Sequence, residues 1–121
     1  MTDWKLGAVE TRFAELIWQN EPLPSGALVK LCERELNWKK PTTYTVLRKL
    51  CEKGIFQNEN GVVSSLISCE DFRAGQGEQF VSETYGGSLP AFIAAFTARR
   101  GLSAEEAAEI RKLIDAARRE G

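Results

Sequence analysis

The sequence predicts a mostly α-helical protein that contains one small β-hairpin, and three observations lead to this fold class. Apolar residues recur at spacings of three and four in several segments, the pattern of helices that bury one face. Asn60 and Gly61 separate two short apolar stretches, and this dipeptide is typical of a hairpin turn. The pair Gly86-Gly87 then interrupts the chain before further helical patterns.

Three helices are predicted before the hairpin. The first covers residues 8–20 and ends before Pro22 and Pro24. The second begins near Ser25, a residue suited to capping a helix, and ends near residues 37–38. The third begins near Pro41 and stops at Gly54. We expect these helices to bury Val9, Phe13, Leu16, Ile17, Leu28, Leu31, Cys32, Leu36, Val46, Leu47 and Leu50. Three helices followed by a hairpin predict a winged helix-turn-helix.

Residues 1–68 therefore form the predicted winged-helix domain, and residues 69–121 a separate helical dimerisation region. Its first helix runs from Glu70 to Tyr85 although it contains two glycines, its second is capped by Ser88, and Ser103 with Glu106 forms a capping box for the last. These helices carry more apolar surface than a region this short can bury, so we expect two copies to pair. The expected dimerisation residues are Phe92, Ile93, Phe96, Ile110, Leu113 and Ile114. The alternative is a monomer in which these helices fold back on residues 1–68.

Several function classes are excluded or disfavoured by composition. The chain has no histidine, so neither a Ser-His-Asp nor a Cys-His catalytic arrangement can form. Cys32, Cys51 and Cys69 stand at spacings that fit free thiols better than a disulfide framework or a zinc site. No glycine-rich phosphate loop or nucleophile elbow is present. We expect no catalysis, no metal and no cofactor.

The chain is also expected to stay away from membranes. It contains no run of 18 or more apolar residues, which a membrane-spanning helix would need. Residues 1–5 lack the basic and then apolar order of a secretory signal. A cytoplasmic location is the resulting expectation.

The third predicted helix carries the candidate functional residues. The net charge is −1, yet between residues 39 and 53 lysine and arginine outnumber acidic residues by five to one. At 100° per residue, Thr45, Arg48 and Lys49 lie opposite the apolar stripe, where they could contact base edges and phosphates. Lys39 and Lys40 precede the helix N-terminus, which itself favours anions. The candidate DNA-binding set is Lys39, Lys40, Thr42, Thr43, Tyr44, Thr45, Arg48 and Lys49, although Thr43 falls on the inner arc.

Three parts of the chain resemble the penicillinase-repressor family of winged-helix transcriptional repressors. Residues 6–18 are similar to its first helix, an acidic and aliphatic segment that ends in an aliphatic residue and Trp18. Residues 42–55, with the turn Lys53-Gly54, are similar to its recognition helix and the start of its wing. Gly86-Gly87 and residues 102–106 are similar to its dimerisation region.

The resemblance implies a cytoplasmic homodimeric repressor that binds double-stranded DNA at a roughly palindromic operator, often of β-lactamase or cell-wall stress genes. In that family, a membrane-bound metalloprotease sensor leads to cleavage of an Asn-Phe bond in the dimerisation region. The matching position here is Ala95-Phe96, in which Phe is kept and Asn is replaced, so a regulatory protease is a candidate partner.

Two further departures from the family pattern affect the expected binding. The copper-responsive branch of the family has a cluster of C-terminal cysteines, whereas no cysteine follows Cys69 here. The wing, residues 57–68, contains no lysine or arginine. Fewer phosphate contacts predict weaker binding with a shallower salt dependence.

Two other functions stay open at this point. A wing without cations and a negative net charge also fit a winged-helix module that binds proteins and not DNA. A thiol-redox regulator would use Cys32, Cys51 or Cys69, but the neighbouring Glu52 should raise the pKa of the Cys51 thiol and so make it less reactive.

Overall fold

The computed structural model describes residues 3–118 and divides between Gln79 and Phe80 into two compact units. The elements of the N-terminal unit are α1 (Ala8–Asn20), β1 (Leu23–Pro24), α2 (Ser25–Leu36), α3 (Lys40–Glu52), β2 (Phe56–Glu59) and β3 (Val62–Ser65). Helix α4 (Cys69–Tyr85) contains the boundary, and α5 (Leu89–Arg100) and α6 (Ala104–Ala117) follow in the C-terminal unit. Among the described residues, six helices and one small antiparallel sheet confirm the predicted fold class.

The three helices before the hairpin have nearly the predicted bounds. Helix α1 begins where the Glu10 carboxylate accepts a hydrogen bond from the Gly7 N–H at 3.1 Å. Its buried face includes Phe13 and Ile17. The prediction that Val9 is buried was wrong, because this residue in the first turn is 54% exposed. Helix α3 carries a proline in its first turn and is followed by Gly54 at φ 79°.

The predicted hairpin forms the wing. Phe56 pairs with Ser65 and Glu59 with Val62, which leaves Asn60 and Gly61 as the two central turn residues. Both have positive φ, 53° and 80°, the combination that a tight two-residue hairpin turn needs.

The sheet has a third strand that the sequence analysis did not predict. In the two-residue strand β1, Leu23 pairs with Val63, and the sheet order is β1-β3-β2. Pro24 cannot donate a backbone hydrogen bond, and it lies at the sheet edge where that loss is tolerated. Pro24, one of the two prolines that end the α1 pattern, thus also belongs to an edge strand.

The core of the N-terminal unit collects side chains from α1, α2, α3, the sheet and the start of α4. Its fully buried large residues include Phe13, Phe56 and Phe72. Trp18 packs on Phe56 and Phe72, and its indole N–H donates to the carbonyl of Ile67 at 3.0 Å. Trp4 and Trp38 also pack against this core, so all three tryptophans are packing residues.

The predicted helix over residues 70–85 forms as α4 despite Gly75 and Gly77. The ring of Trp4 lies directly against Gly75, where any Cβ atom would overlap it. The segment before α1 is held on α4 by two more contacts: the Trp4 N–H donates to Gln79, and Gln76 donates to the Trp4 carbonyl. Gly75 therefore provides space for a tertiary contact.

Helices α5 and α6 have the predicted caps. The Ser88 hydroxyl accepts from the Ala91 N–H, and Ser103 and Glu106 form the reciprocal capping box. The C-terminal unit nevertheless lacks a core of its own, since no residue between 80 and 118 is buried. Leu113 and Ile114, two of the expected dimerisation residues, are exposed in the single chain.

Candidate nucleic-acid interface

The outer face of α3 is the candidate interface. Thr42, Thr45, Arg48 and Lys49 are exposed, while Leu47 and Leu50 are buried on the opposite side. This division follows from helical spacing, because residues three and four apart share a face. The helix therefore holds its polar face to solvent by packing its apolar face into the core.

Thr43 does not belong to this outer face. Its side chain is only 1% exposed and lies between α2 and α3, beside Cys32. Burial raises the pKa of the Cys32 thiol, and the Thr43 hydroxyl acts in the opposite direction. We remove Thr43 from the candidate DNA-binding residues because a side chain in the core cannot reach a ligand outside.

Lys39 and Lys40 lie at the N-terminus of α3, where backbone N–H groups lack partners within the helix. With Trp38 and Asn37 of the α2–α3 turn, they line a surface cavity of about 400 Å³. Glu33 also lines it and lowers its net positive charge. Two ammonium groups beside a helix N-terminus suit an anion such as a phosphate.

Tyr44 and Thr45 are held by hydrogen bonds to the protein. The Tyr44 hydroxyl donates to Ser25 Oγ of α2 at 3.0 Å. The Thr45 hydroxyl donates to the carbonyl of Pro41 one turn earlier, at 2.9 Å. Both side chains keep exposed atoms in fixed positions, which favours contacts with little loss of rotamer entropy on binding.

Arg48 borders an open cavity of about 250 Å³ between α3 and the wing, which Tyr44, Leu47, Cys51 and Asn58 also line. In the part of the chain that the structure describes, its guanidinium forms no ion pair or hydrogen bond. Arginine in this state keeps all its donors for a partner, and its paired N–H groups match the acceptors of guanine.

Two further lysines, Lys49 of α3 and Lys53 at its C-terminal cap, have protein partners. Lys49 Nζ lies 3.0 Å from Glu10 Oε2 of α1. Lys53 Nζ donates to the carbonyl of Lys5 at 3.1 Å. The hydrogen bond from the Gly7 N–H, and then Lys49, lower the pKa of the Glu10 carboxyl, so this carboxylate stays charged. The sequence analysis grouped Lys49 with Arg48, but the structure gives the two side chains different environments.

The cysteines give no support to redox regulation. All three are free thiols. Burial raises the pKa of the Cys51 thiol and Glu52 adds to the rise, against a backbone hydrogen bond from Asn58. A raised pKa leaves little of the reactive thiolate. Within residues 3–118, no group of three or more histidine, cysteine, aspartate or glutamate side chains is placed to hold a metal ion.

The expected dimerisation residues lie in the C-terminal unit. Phe92 belongs to an aromatic cluster with Phe80, Tyr85 and Phe96, whose ring centroids lie 5.5–6.0 Å apart. Ile93 and Phe96 of α5 are exposed, as are Leu113 and Ile114 of α6, and Ile110 is half-buried.

The bond between Ala95 and Phe96 lies inside α5, in regular helix. A helical backbone is engaged in its own hydrogen bonds, whereas proteases cleave preferentially at exposed loops. The structure thus does not support the regulatory protease that the resemblance implied.

A comparison with known protein families shows which family the chain belongs to. The family model described as penicillinase repressor matches residues 6–116, nearly the whole chain. The protein belongs to the penicillinase-repressor family. This family consists of transcriptional regulators and not of enzymes, and its members are DNA-binding repressors with a winged helix. No curated protein matches this chain.

Family membership agrees with the placement of the exposed polar face on the third helix, directly before the wing. No helix among residues 3–118 has the length and apolar character needed to cross a membrane. Sequence reasoning missed Glu10, which pairs with Lys49, and Asn58, which lines the Arg48 cavity. No local pattern indicates either residue, because both contacts join separate elements.

Proposed function

We propose that this penicillinase-repressor family member is a cytoplasmic homodimeric repressor that inserts its two α3 helices into successive major grooves of a roughly palindromic operator. The observation that carries the proposal is the outer face of α3, the helix directly before the wing, where Arg48 is exposed and makes no ion pair or hydrogen bond with the described residues. Half-sites one helical turn apart are the usual arrangement for such dimers. The family name makes penicillinase genes the first operators to test, and the cell-wall stress genes that the resemblance implied come next.

The contacts divide into two kinds. Lys39 and Lys40 bind backbone phosphates at the α3 N-terminus, which fixes the position of the helix on the duplex. Thr42, Thr45 and Arg48 contact base edges, with Tyr44 at the flank of the helix. Phosphate contacts supply affinity without sequence preference, so the discrimination between operators depends on the second group.

Dimerisation through the C-terminal unit supports the same function. Residues 80–118 bury none of their side chains within one copy, yet they hold seven exposed large apolar residues. These are Phe80, Leu89, Ile93, Phe96, Leu102, Leu113 and Ile114. Such a surface needs a partner, and a second copy in twofold symmetry matches a palindromic operator.

A fluorescence-anisotropy titration with duplexes from upstream of the protein's own gene tests the proposal. We expect Arg48→Ala to weaken binding to the preferred duplex by about 1–3 kcal/mol, because it removes a base contact from each half-site. Arg12→Ala is the matched control, since Arg12 is also an exposed arginine but lies on α1, 3.9 Å from Glu35.

Arg12→Ala should leave both the affinity and its dependence on sequence nearly unchanged. Equal losses from the two variants would show that general charge, and not the α3 face, drives binding. Failure of the wild-type protein to bind any duplex at low salt would favour the alternative, a winged-helix module that binds proteins. The absence of lysine and arginine from residues 57–68 is the observation that keeps this alternative in the test.

A further inference from the structure

Lys49 lies on the exposed face of α3 next to Arg48, but its ammonium group is occupied. It is 3.0 Å from Glu10 Oε2, a contact that joins the recognition helix to the first turn of α1. The Lys49 side chain is 57% exposed and that of Glu10 only 23%, so the carboxylate is the more enclosed partner. Partial enclosure weakens screening by water and salt and makes the pair more persistent than a fully exposed one.

The position of Glu10 is itself fixed. Its other oxygen, Oε1, accepts a hydrogen bond from the Gly7 N–H and so caps the start of α1. A carboxylate held at one oxygen presents the other in a defined direction. Glu10 therefore acts as an anchor for Lys49 and is more than a mobile counter-ion.

A second contact on the same side of α3 reinforces this anchor. One turn beyond Lys49, the Lys53 ammonium donates to the carbonyl of Lys5, in the segment that precedes α1. Lys49 in the last turn of α3 and Lys53 at its C-cap thus attach the C-terminal end of the helix to residues 5–10. By contrast, the described residues supply no side-chain partner for Lys39, Lys40 or Arg48.

Binding of a DNA phosphate by Lys49 would be opposed by this arrangement. The ammonium would have to leave Glu10 or share its charge, and the fixed carboxylate would then face the phosphate at short range. Like charges at short range repel, and the repulsion is larger near a protein surface than in bulk water. Lys49 is consequently better suited to orienting α3 than to contacting DNA.

We propose that Lys49 is a positioning residue, anchored by Glu10, which sets the orientation of α3 and does not itself bind DNA. This assignment rests on the proposed function, and it reduces the cationic DNA-binding groups of each subunit to Lys39, Lys40 and Arg48. The operator is read by the N-terminal half of α3 and Arg48, while the C-terminal half attaches the helix to α1.

The experiment compares Glu10→Gln, Lys49→Met and the double variant in DNA binding. Glu10→Gln keeps an oxygen that can cap the Gly7 N–H but removes the charge that holds Lys49. The probes are a duplex that the full wild-type chain enriches from a randomised library, and a scrambled duplex of equal length, each titrated at several salt concentrations. Circular dichroism melting checks that every variant is folded.

We expect each single variant to bind the enriched duplex about two- to fivefold more weakly, the range of a partly exposed ion pair. The double variant should lose no more than either single variant, because the pair is already broken in each. Affinity for the scrambled duplex should change only by the small general effect of the altered net charge, and the salt slope should not change. Lys49→Arg should restore wild-type affinity, since it keeps the charge opposite Glu10.

The matched control is Glu52→Gln, which removes an exposed acid from the same face of α3 without breaking the Lys49 pair. It should tighten binding slightly to both duplexes, as a general charge effect does. Tighter binding with a steeper salt slope in Glu10→Gln, beyond that of Glu52→Gln, would show that Glu10 releases a DNA-binding lysine and would overturn the assignment.

The assignment of Lys49 would also be overturned if the salt dependence of the binding constant became shallower in Lys49→Met, by roughly 0.9 in the logarithmic slope for each lost phosphate contact. These outcomes contradict the role of Lys49 alone. If the wild-type chain enriches no duplex, the proposed function fails and this assignment fails with it.

Discussion

The two compact units of the protein use apolar residues in opposite ways. Among the described residues of the N-terminal unit, thirteen hydrophobic residues are buried, contributed by its helices, its sheet and the turn before β2. In the C-terminal unit, none of residues 80–118 is buried, although α5 and α6 are well capped and carry several large apolar side chains. The first unit completes its core within one copy, whereas the second presents apolar faces suited to a partner.

This difference separates local from tertiary stabilisation. A capping box and a helical apolar pattern are enough to define a helix such as α6. They do not bury its apolar face, and most of the stability of a helix in a protein comes from that burial. This difference in how the two units bury their apolar residues can be tested by substitutions in each unit.

The largest effect is expected in the N-terminal core. Phe13→Ala removes a fully buried ring that packs 5.2 Å from the Trp38 ring, and it should lower the free energy of unfolding by about 3–5 kcal/mol. Urea denaturation measures this loss. Phe96→Ala, in the C-terminal unit, should cost far less when measured at concentrations where the chain is monomeric. Similar losses from both would mean that the C-terminal unit has a core of its own.

Leu113→Asp tests whether the C-terminal faces pair. Leu113 is 68% exposed, so the substitution should hardly affect one copy, but a carboxylate enclosed in an interface is costly. We expect a rise of roughly a hundredfold in the dimer dissociation constant, about 3 kcal/mol, in sedimentation equilibrium. Ala108→Asp is the control, because it places the same charge on the opposite face of α6. A monomeric wild-type chain would contradict the proposed dimer.

A smaller effect is expected at Gly75, where the N-terminal segment packs on α4. Gly75→Ala forces a Cβ atom into the Trp4 ring and should destabilise the N-terminal unit by about 1–3 kcal/mol. Gly77→Ala, with open space around the added carbon, should stabilise α4 by about 0.5–1 kcal/mol. Thermal melts of the two variants should therefore shift in opposite directions. A gain in stability from Gly75→Ala would show that Trp4 does not occupy this position.

The smallest effect is the contribution of Glu10, in the N-terminal unit, to the pH dependence of stability. The pKa of Glu10 is lowered in the folded state, first by the Gly7 N–H and then by Lys49. A lowered pKa stabilises the fold at pH values above the ordinary titration range of glutamate. This contribution is lost as the pH falls towards the pKa of Glu10 in the folded state. Urea midpoints between neutral and acidic pH should decline less in Glu10→Gln than in wild type. Parallel declines would rule out a contribution from Glu10.

Helix bounds and turn positions followed from neighbouring residues and were therefore predictable. Asn60-Gly61 indicated the hairpin, and Ser103 with Glu106 indicated the start of α6, because each signal lies within a few residues of the structure it forms. The outer face of α3 followed from helical spacing. Strand β1 was missed because two residues carry no periodicity and exist as a strand only through their pairing with β3.

The sequence by itself determined the winged-helix fold class, the capped C-terminal helices and the polar face of α3, since all depend on local propensity and period. Only the tertiary structure decided which members of that face are available. It buried Thr43 between α2 and α3, attached Lys49 to Glu10 and left Arg48 without a partner among residues 3–118. The physical reason is that burial and ion pairing depend on which elements pack together. Adjacent positions such as Arg48 and Lys49, alike in sequence, therefore differ in what they can bind.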